Sequence, residues 1–145
     1  MAYISEQLRR QVAARAHYCC EYCHSNELVT GGPFHIEHIT PEARGGATEA
    51  DNLAYACARC NLHKGQRISA QDPVSGQSAP LFNPRRNRWS RHFSWAADGT
   101  RVIGRTRTGR STIIALQMNH STIVRARSLW VSCDIHPPAT DRMTR

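Results

Sequence analysis

The chain is most constrained by two matched C-x-x-C knuckles, Cys20-Glu-Tyr-Cys23 and Cys57-Ala-Arg-Cys60, with 33 residues between them. Four thiolates drawn from two such pairs can stand at the corners of a tetrahedron. Zn²⁺ prefers that shell, and a four-sulfur site leaves no open position for a substrate. The pattern points to a structural staple that holds the intervening residues as one loop and contributes folding free energy. Four free or redox-active thiols are the alternative, and iron also accepts four thiolates. No thioredoxin-like βαβ pattern surrounds either pair, which disfavours redox chemistry. Cys19 and Cys133 stand outside the pairs and read as ordinary thiols.

At 145 residues the chain fits one domain, or a small core with an extension packed on it. No apolar run approaches the ~20 residues needed to cross a bilayer, so no membrane partner is expected. Nineteen Lys and Arg stand against eleven Asp and Glu, giving a net charge of +8. Lys64 is the only lysine. An arginine-dominated excess favours a polyanionic partner, because the planar guanidinium fork suits phosphate. Residues 4–16 superficially resemble a transit peptide, yet they contain Glu6 and no apolar h-region. They read as a folded helix capped by Ser5 in a cytoplasmic protein, where paired knuckles mean metal more often than disulfide.

The expected fold class is α+β. A leading helix over residues 5–17 precedes the first knuckle. After the Gly31-Gly32-Pro33 break, the alternation of Phe34, Ile36 and His38 against His35, Glu37 and Ile39 predicts a short strand. A loop containing Pro41 and Gly45-Gly46 leads to a second strand or extended segment over 52–56. The second knuckle opens a helix that carries Asn61 and Lys64 and ends near Gly65. Residues 1–68 thus form a core unit, and 69–80, rich in Ser, Gln, Gly and Pro, a linker or surface loop. Residues 81–136 form a basic α+β extension: a hairpin around Asp98-Gly99, then helices over 111–118 and 122–131. The tail, 137–145, is expected to be flexible.

Glu37-His38-Ile39-Thr40-Pro41, Gly45-Gly46, Asn52-Leu53 and Cys57-x-x-Cys60-Asn61-x-x-Lys64 together resemble the HNH endonuclease family, in its branch with a four-cysteine zinc site. The resemblance covers residue 20 to about 65 and implies a ββα-metal (His-Me finger) core: two strands and a helix around one divalent cation. By it, His38 takes the general-base position at the end of the first strand. Glu37 takes a metal-binding position, Asn52 the position that braces the loop behind the base, and Asn61 a metal-ligand position on the helix. Two oxygen donors suit Mg²⁺ or Mn²⁺ better than a second zinc.

The chemistry asks for the same residue types. Phosphodiester hydrolysis needs a water deprotonated near neutral pH, a task suited to neutral imidazole. A hard cation can stabilise charge on the phosphate and the leaving 3′ oxygen. The bland readings make His38 a hydrogen-bonded core histidine, Asn61 a plain helix residue and Lys64 a solvated one. His35 reads as an exposed polar residue or a third metal-facing group, and Glu42 and Arg44 lie on a loop that could approach DNA. In the extension, Arg85, Arg86, Arg88 and Arg91 surround Trp89, and arginines beside aromatics can grip phosphates and stack bases. Lys64, Arg85, Arg86 and Arg88 are the candidate nucleic-acid contacts, with the aromatics read as core. The sequence therefore predicts a DNA endonuclease, monomeric or weakly dimeric. A non-catalytic, zinc-stabilised DNA-binding module is the alternative.

Overall fold

Ser5 sets the start of the first helix. It accepts a hydrogen bond from the Leu8 amide at 3.1 Å, and α1 runs over Glu6–Arg15. The computed structural model describes residues 2–142. Val12 and Ala13 on α1 are buried with Ile4, Ala16, Leu53 and Tyr55 in one apolar cluster. Arg15 then fastens the end of α1 to the following hairpin, donating to the carbonyls of Ala50 at 3.0 Å and Leu53 at 2.7 Å.

That hairpin is the centre of the fold. Between the first knuckle and the hairpin lies one helical turn, α2 (Glu27–Thr30), capped by Asn26 and closed by Gly31 in the left-handed region. β1 (His35–His38) pairs antiparallel with β2 (Leu53–Ala56), from His35 opposite Ala56 to His38 opposite Leu53. All four residues of β2 are buried, because it is covered on both faces. Leu53 and Tyr55 face the α1 cluster, while Ala54 and Ala56 join the larger core. The knuckle loop lies along β2: the Glu21 amide donates to the Tyr55 carbonyl at 2.8 Å, and the Tyr55 amide to the Glu21 carboxylate at 2.8 Å. Helix α3 (Ala58–Lys64) follows directly, capped by the Cys57 sulfur and ended at Gly65.

The segment expected as a linker is ordered. β3 (Ser69–Gln71) and β4 (Ser78–Pro80) form a hairpin in which Ala70 stands opposite Ala79. Asp72 builds its turn, accepting from the amides of Val74 and Ser75 at 3.2 Å and from the Ser75 hydroxyl at 2.7 Å. Arg110 grips the same carboxylate through two bonds of 2.9 Å and holds its pKa well below the usual range. The polar composition of 69–80 thus serves a turn tied down from a distance, rather than a solvated connection.

The extension contains α4 (Trp89–His92), a hairpin of β5 (Phe93–Trp95) and β6 (Val102–Gly104), α5 (Arg107–Ala115) and α6 (Ser121–Ser132). The hairpin turns at Asp98-Gly99 as expected, with Trp95 opposite Val102. Helix α5 starts four residues before its predicted position because the Thr106 hydroxyl caps it, accepting from the Gly109 amide at 3.0 Å. Phe82, Phe93, Val102, Leu116 and Met118 share one buried cluster with the knuckle cysteines and Ile39. Residues 81–136 therefore pack directly against the knuckles. The C-terminal segment is docked as well: on α7 (Ala139–Arg142), Asp141 accepts from His24 Nδ1 at 2.7 Å and Trp95 Nε1 at 2.9 Å. The expectation of a flexible tail is corrected for residues 137–142, while 143–145 lie outside the described residues.

Two buried groups mark this end of the core. Arg127 is fully buried, donates to the carbonyls of Thr100 and Met118, and lies 5.2 Å from the Trp95 ring centroid. His136, 4% exposed, sits edge-on to Trp95 and Trp130 with Nε2 unpartnered. Burial, aided by the Arg127 charge, pushes its pKa down to about 4. The folded state thus resists a proton that the unfolded chain accepts near pH 6.5. Stability from this group is present above pH 6.5 and is lost as pH falls toward 4. In urea titrations at pH 7 and pH 5, wild type is expected to lose about 1–2 kcal/mol more than His136→Phe. Equal losses in the two proteins would refute the assignment.

Candidate functional site

The four knuckle cysteines converge. Their sulfurs lie within 4.8 Å of one another, and all four residues are buried. The Cys23 and Cys57 sulfurs are 3.7 Å apart. That is far beyond a disulfide bond and close to the ~3.8 Å edge of a tetrahedron built on zinc–sulfur bonds of about 2.3 Å. Within each knuckle the second cysteine's amide points at the first sulfur, Cys23 N to Cys20 Sγ at 3.5 Å and Cys60 N to Cys57 Sγ at 3.4 Å. Such N–H groups stabilise thiolate charge. Among the described residues this is the one group of three or more His, Cys, Asp and Glu side chains close enough to hold a metal ion. The donor set fits zinc. Cys19 and Cys133 remain free, the first half-buried and the second exposed.

Fourteen residues after the first knuckle pair closes, β1 ends on Glu37 and His38. As neighbours in a strand they leave opposite faces. The His38 ring is held at one nitrogen: Nε2 lies 2.8 Å from the Thr48 hydroxyl and 3.6 Å from a Glu42 carboxylate oxygen. Nε2 thus faces two oxygen partners, and with the proton placed there Nδ1 would keep the basic lone pair. Sequence reasoning missed Thr48, and it read Glu42 as a residue that could approach DNA rather than as a partner of His38. Glu42 stood four positions from His38 as a possible signal, but Thr48 carried none.

Asn52 closes the loop between the strands. Its amide donates to the carbonyls of Thr40 at 2.9 Å and Ala47 at 2.8 Å, and its oxygen accepts from the Thr40 amide at 2.9 Å. Gly46 makes this closure possible, since a Cβ there would stand 1.7 Å from the Thr40 carbonyl oxygen and 2.8 Å from Asn52 Nδ2. The loop carrying Thr48 is thereby fixed against the strand carrying His38.

Lys64 is not a surface residue. At 2% exposure, its ammonium lies 3.1 Å from Glu37 Oε2 and donates to the carbonyls of His38 at 3.1 Å and Ile39 at 2.9 Å. The Tyr22 hydroxyl donates to the other Glu37 oxygen. Burial pushes the Glu37 carboxyl up, and Lys64 and Tyr22 oppose that shift. The structure therefore corrects the reading of Lys64 as a phosphate contact: it pins the backbone on which His38 stands. It also bears on the cation expected at Glu37. Both carboxylate oxygens are engaged and the residue is 6% exposed, so Glu37 does not present an open ligand. Asn61 is partly exposed one turn before Lys64, on the same face of α3. As folded, Glu37 and Asn61 do not form an open pair of donors.

The remaining basic candidates divide. Arg85 is withdrawn from the surface and pairs with Glu21, which corrects its reading as a phosphate contact. Arg86 and Arg88 are exposed and line an open groove. Arg44 donates to the Gln66 carbonyl at 2.9 Å, joining the loop to the end of α3. His35 is exposed.

Two outcomes follow from this geometry. Chelating the metal from the four cysteines is expected to unfold the core, seen as loss of the near-ultraviolet dichroism of Tyr22 and Trp89 together with release of one zinc per chain. A folded zinc-free protein would contradict the staple. Gly46→Ala is expected to destabilise by about 1–3 kcal/mol in urea titrations, because the obstructing atoms are largely backbone; unchanged stability would show that the loop closes differently.

No helix among the described residues is long and apolar enough to cross a membrane. A family model described as HNH endonuclease matches residues 20–67. No curated protein and no solved structure matches the chain. The matched segment begins at the first knuckle cysteine, contains the β1–β2 hairpin and α3, and ends just past Gly65. Residues 20–67 thus match the HNH endonuclease family and form a small α+β unit around four buried cysteines placed to hold a metal ion.

Proposed function

We propose that this chain is an endonuclease that hydrolyses DNA phosphodiester bonds with His38 as its general base. The observation that carries the reading is the clamp on His38. Thr48 and Glu42 hold Nε2, while Lys64 and Asn52 fix the backbone at His38 and just after it. A base with one ring nitrogen oriented and the other basic is what activation of water requires.

In this mechanism His38 Nδ1 takes a proton from water as its oxygen bonds to phosphorus. The bond from phosphorus to the 3′ oxygen breaks, and that oxygen takes a proton from solvent. His38 then returns its proton to solvent, leaving a 5′ phosphate and a 3′ hydroxyl. The imidazolium formed midway is stabilised by the Glu42 carboxylate at 3.6 Å from Nε2. Asn52 keeps the loop bearing Thr48 in register and does not itself touch the reacting atoms in this scheme.

Glu37 and Asn61 would hold Mg²⁺ or Mn²⁺ only with Lys64 released from Glu37. When bound, such a cation neutralises charge on the phosphate and the leaving oxygen. Arg86 and Arg88 are the proposed phosphate contacts, and the site works in a monomer or a weak homodimer in a cytoplasmic setting. The closed Glu37–Lys64 pair is the observation that favours the other reading, a zinc-stabilised DNA-binding module without cleavage.

Incubation of supercoiled plasmid with Mg²⁺ or Mn²⁺ separates the two. The native chain is expected to relax or linearise the plasmid. His38→Ala and Asn61→Ala should each lose about 100-fold or more in rate with zinc content unchanged. Equal cleavage by His38→Ala would sink the mechanism, and binding without cleavage by the native chain would establish the module reading.

A further inference from the structure

Between Pro73 and Cys133 the chain carries ten arginines and one acidic residue, Asp98. Three of those arginines are engaged inside the fold: Arg85 with Glu21, Arg110 with Asp72, and Arg127 with backbone carbonyls. Arg86, Arg88 and Arg91 are different. They are exposed, make no ion pair among the described residues, and line one open groove with Asn87, Ser90 and His92. An unpaired cluster of this kind raises its own electrostatic cost and attracts a polyanion.

The groove is extended at both ends. At one end, the His92 carbonyl accepts from the Arg105 amide at 2.8 Å, and His92 Nδ1 lies 2.6 Å from the Thr106 hydroxyl. The exposed Arg105 and Arg107 therefore flank its rim. Gly109 allows the approach, since a Cβ there would stand 2.1 Å from the His92 carbonyl oxygen. At the other end a second groove, with Ile39 and Thr40 among its lining residues, meets the first at Arg86 and Asn87. Thr40 is two residues from His38.

The aromatics nearby are turned inward. Trp89 stacks on His24 at 4.1 Å and donates to the Tyr22 carbonyl at 2.8 Å. Trp95 donates to Asp141, and Phe93 is buried. Trp89 and Trp95 are half-buried with their ring N–H groups spent inside the fold, which disfavours bases stacked on these rings. Single-strand binders combine charge with exposed stacking rings, whereas a duplex presents closely spaced phosphates and keeps its bases stacked inside.

We infer that the groove of Arg86, Arg88 and Arg91, continued by Arg105 and Arg107, is a docking surface for the sugar–phosphate backbone of duplex DNA. It grips phosphates without reading bases, and the joined groove leads the strand over Thr40 toward His38. That direction rests on the nuclease reading above; the docking surface itself does not.

The test uses the full zinc-loaded chain carrying His38→Ala, so that binding is measured without cleavage. Anisotropy of a labelled duplex of arbitrary sequence is followed against salt, beside a single strand of equal length. Arg86→Ala, Arg88→Ala and Arg91→Ala together are expected to weaken duplex binding on the order of 100-fold at 0.1 M salt and lower the log–log salt slope by about 2–3. Replacing the same three by lysine should retain most binding, and Arg9→Ala, an exposed arginine on α1, should change little. An unchanged slope in the triple alanine variant would overturn the inference, as would tighter binding of the single strand. If binding behaves as expected while the His38-bearing chain cuts nothing, the nuclease reading fails alone; cleavage that survives the triple substitution undiminished removes this surface alone.

Discussion

Everything at the candidate site depends on four sulfur atoms closing one loop. Cys20 and Cys23 lie before the β1–β2 hairpin, and Cys57 and Cys60 at the start of α3, so their convergence fixes both ends of the segment bearing His38, Asn52 and Asn61. Cys57 acts twice, since its sulfur belongs to the cluster and also caps α3. A metal bound by the cluster would therefore be coupled to helix initiation at this residue. A seven-residue helix is too short to persist in water by itself, so α3 depends on its cap and on the cysteine cluster for its place in the site.

The second level of construction is a set of bonds to backbone rather than to side chains. Lys64 reaches two strand carbonyls, Asn52 reaches three loop groups, and Arg15 reaches two carbonyls at the start of β2. Each is a long or forked polar side chain satisfying main-chain groups that a short hairpin leaves unpaired. The result is a histidine whose surroundings are held by several side chains although the sheet has only two strands.

Where the physics is local, the sequence shows it: the Ser5 cap, the alternation in 34–39, the Asp98-Gly99 turn and the cysteine spacing each act over a few residues. The matched knuckles also announce a long-range contact, because metal chemistry leaves a spacing signature. Other long-range pairs leave none. Asp72 and Arg110 are 38 positions apart, so the turn they anchor reads as a polar linker. Arg85 and Lys64 look like surface cations because nothing in their neighbourhood names Glu21 or Glu37 as the partner that takes them inside. Tyr22, between two knuckle cysteines, carries no signal of its own in the sequence, yet it supplies the hydrogen bond that helps lock Glu37. The docked C-terminal helix escaped for the same reason, since its partners, His24 and Trp95, lie far away in the chain.

Arg127 shows where the boundary of this unit falls. It is buried without a carboxylate ion pair among the described residues, and it lines one cavity with Cys23, Cys57 and Cys60. Four thiolates around a divalent ion carry a net charge of about −2, so the cluster, once loaded with metal, would be the natural counter-charge for this guanidinium. The cation sits 60 residues beyond the matched family segment while its counter-charge sits within it. A graft of residues 20–67 onto another scaffold would strip the cluster of its neighbour and open the apolar wall formed by Phe82, Leu116 and Met118. The border of family resemblance is thus not a border of folding, and what is transferable between proteins here is a larger piece than the motif.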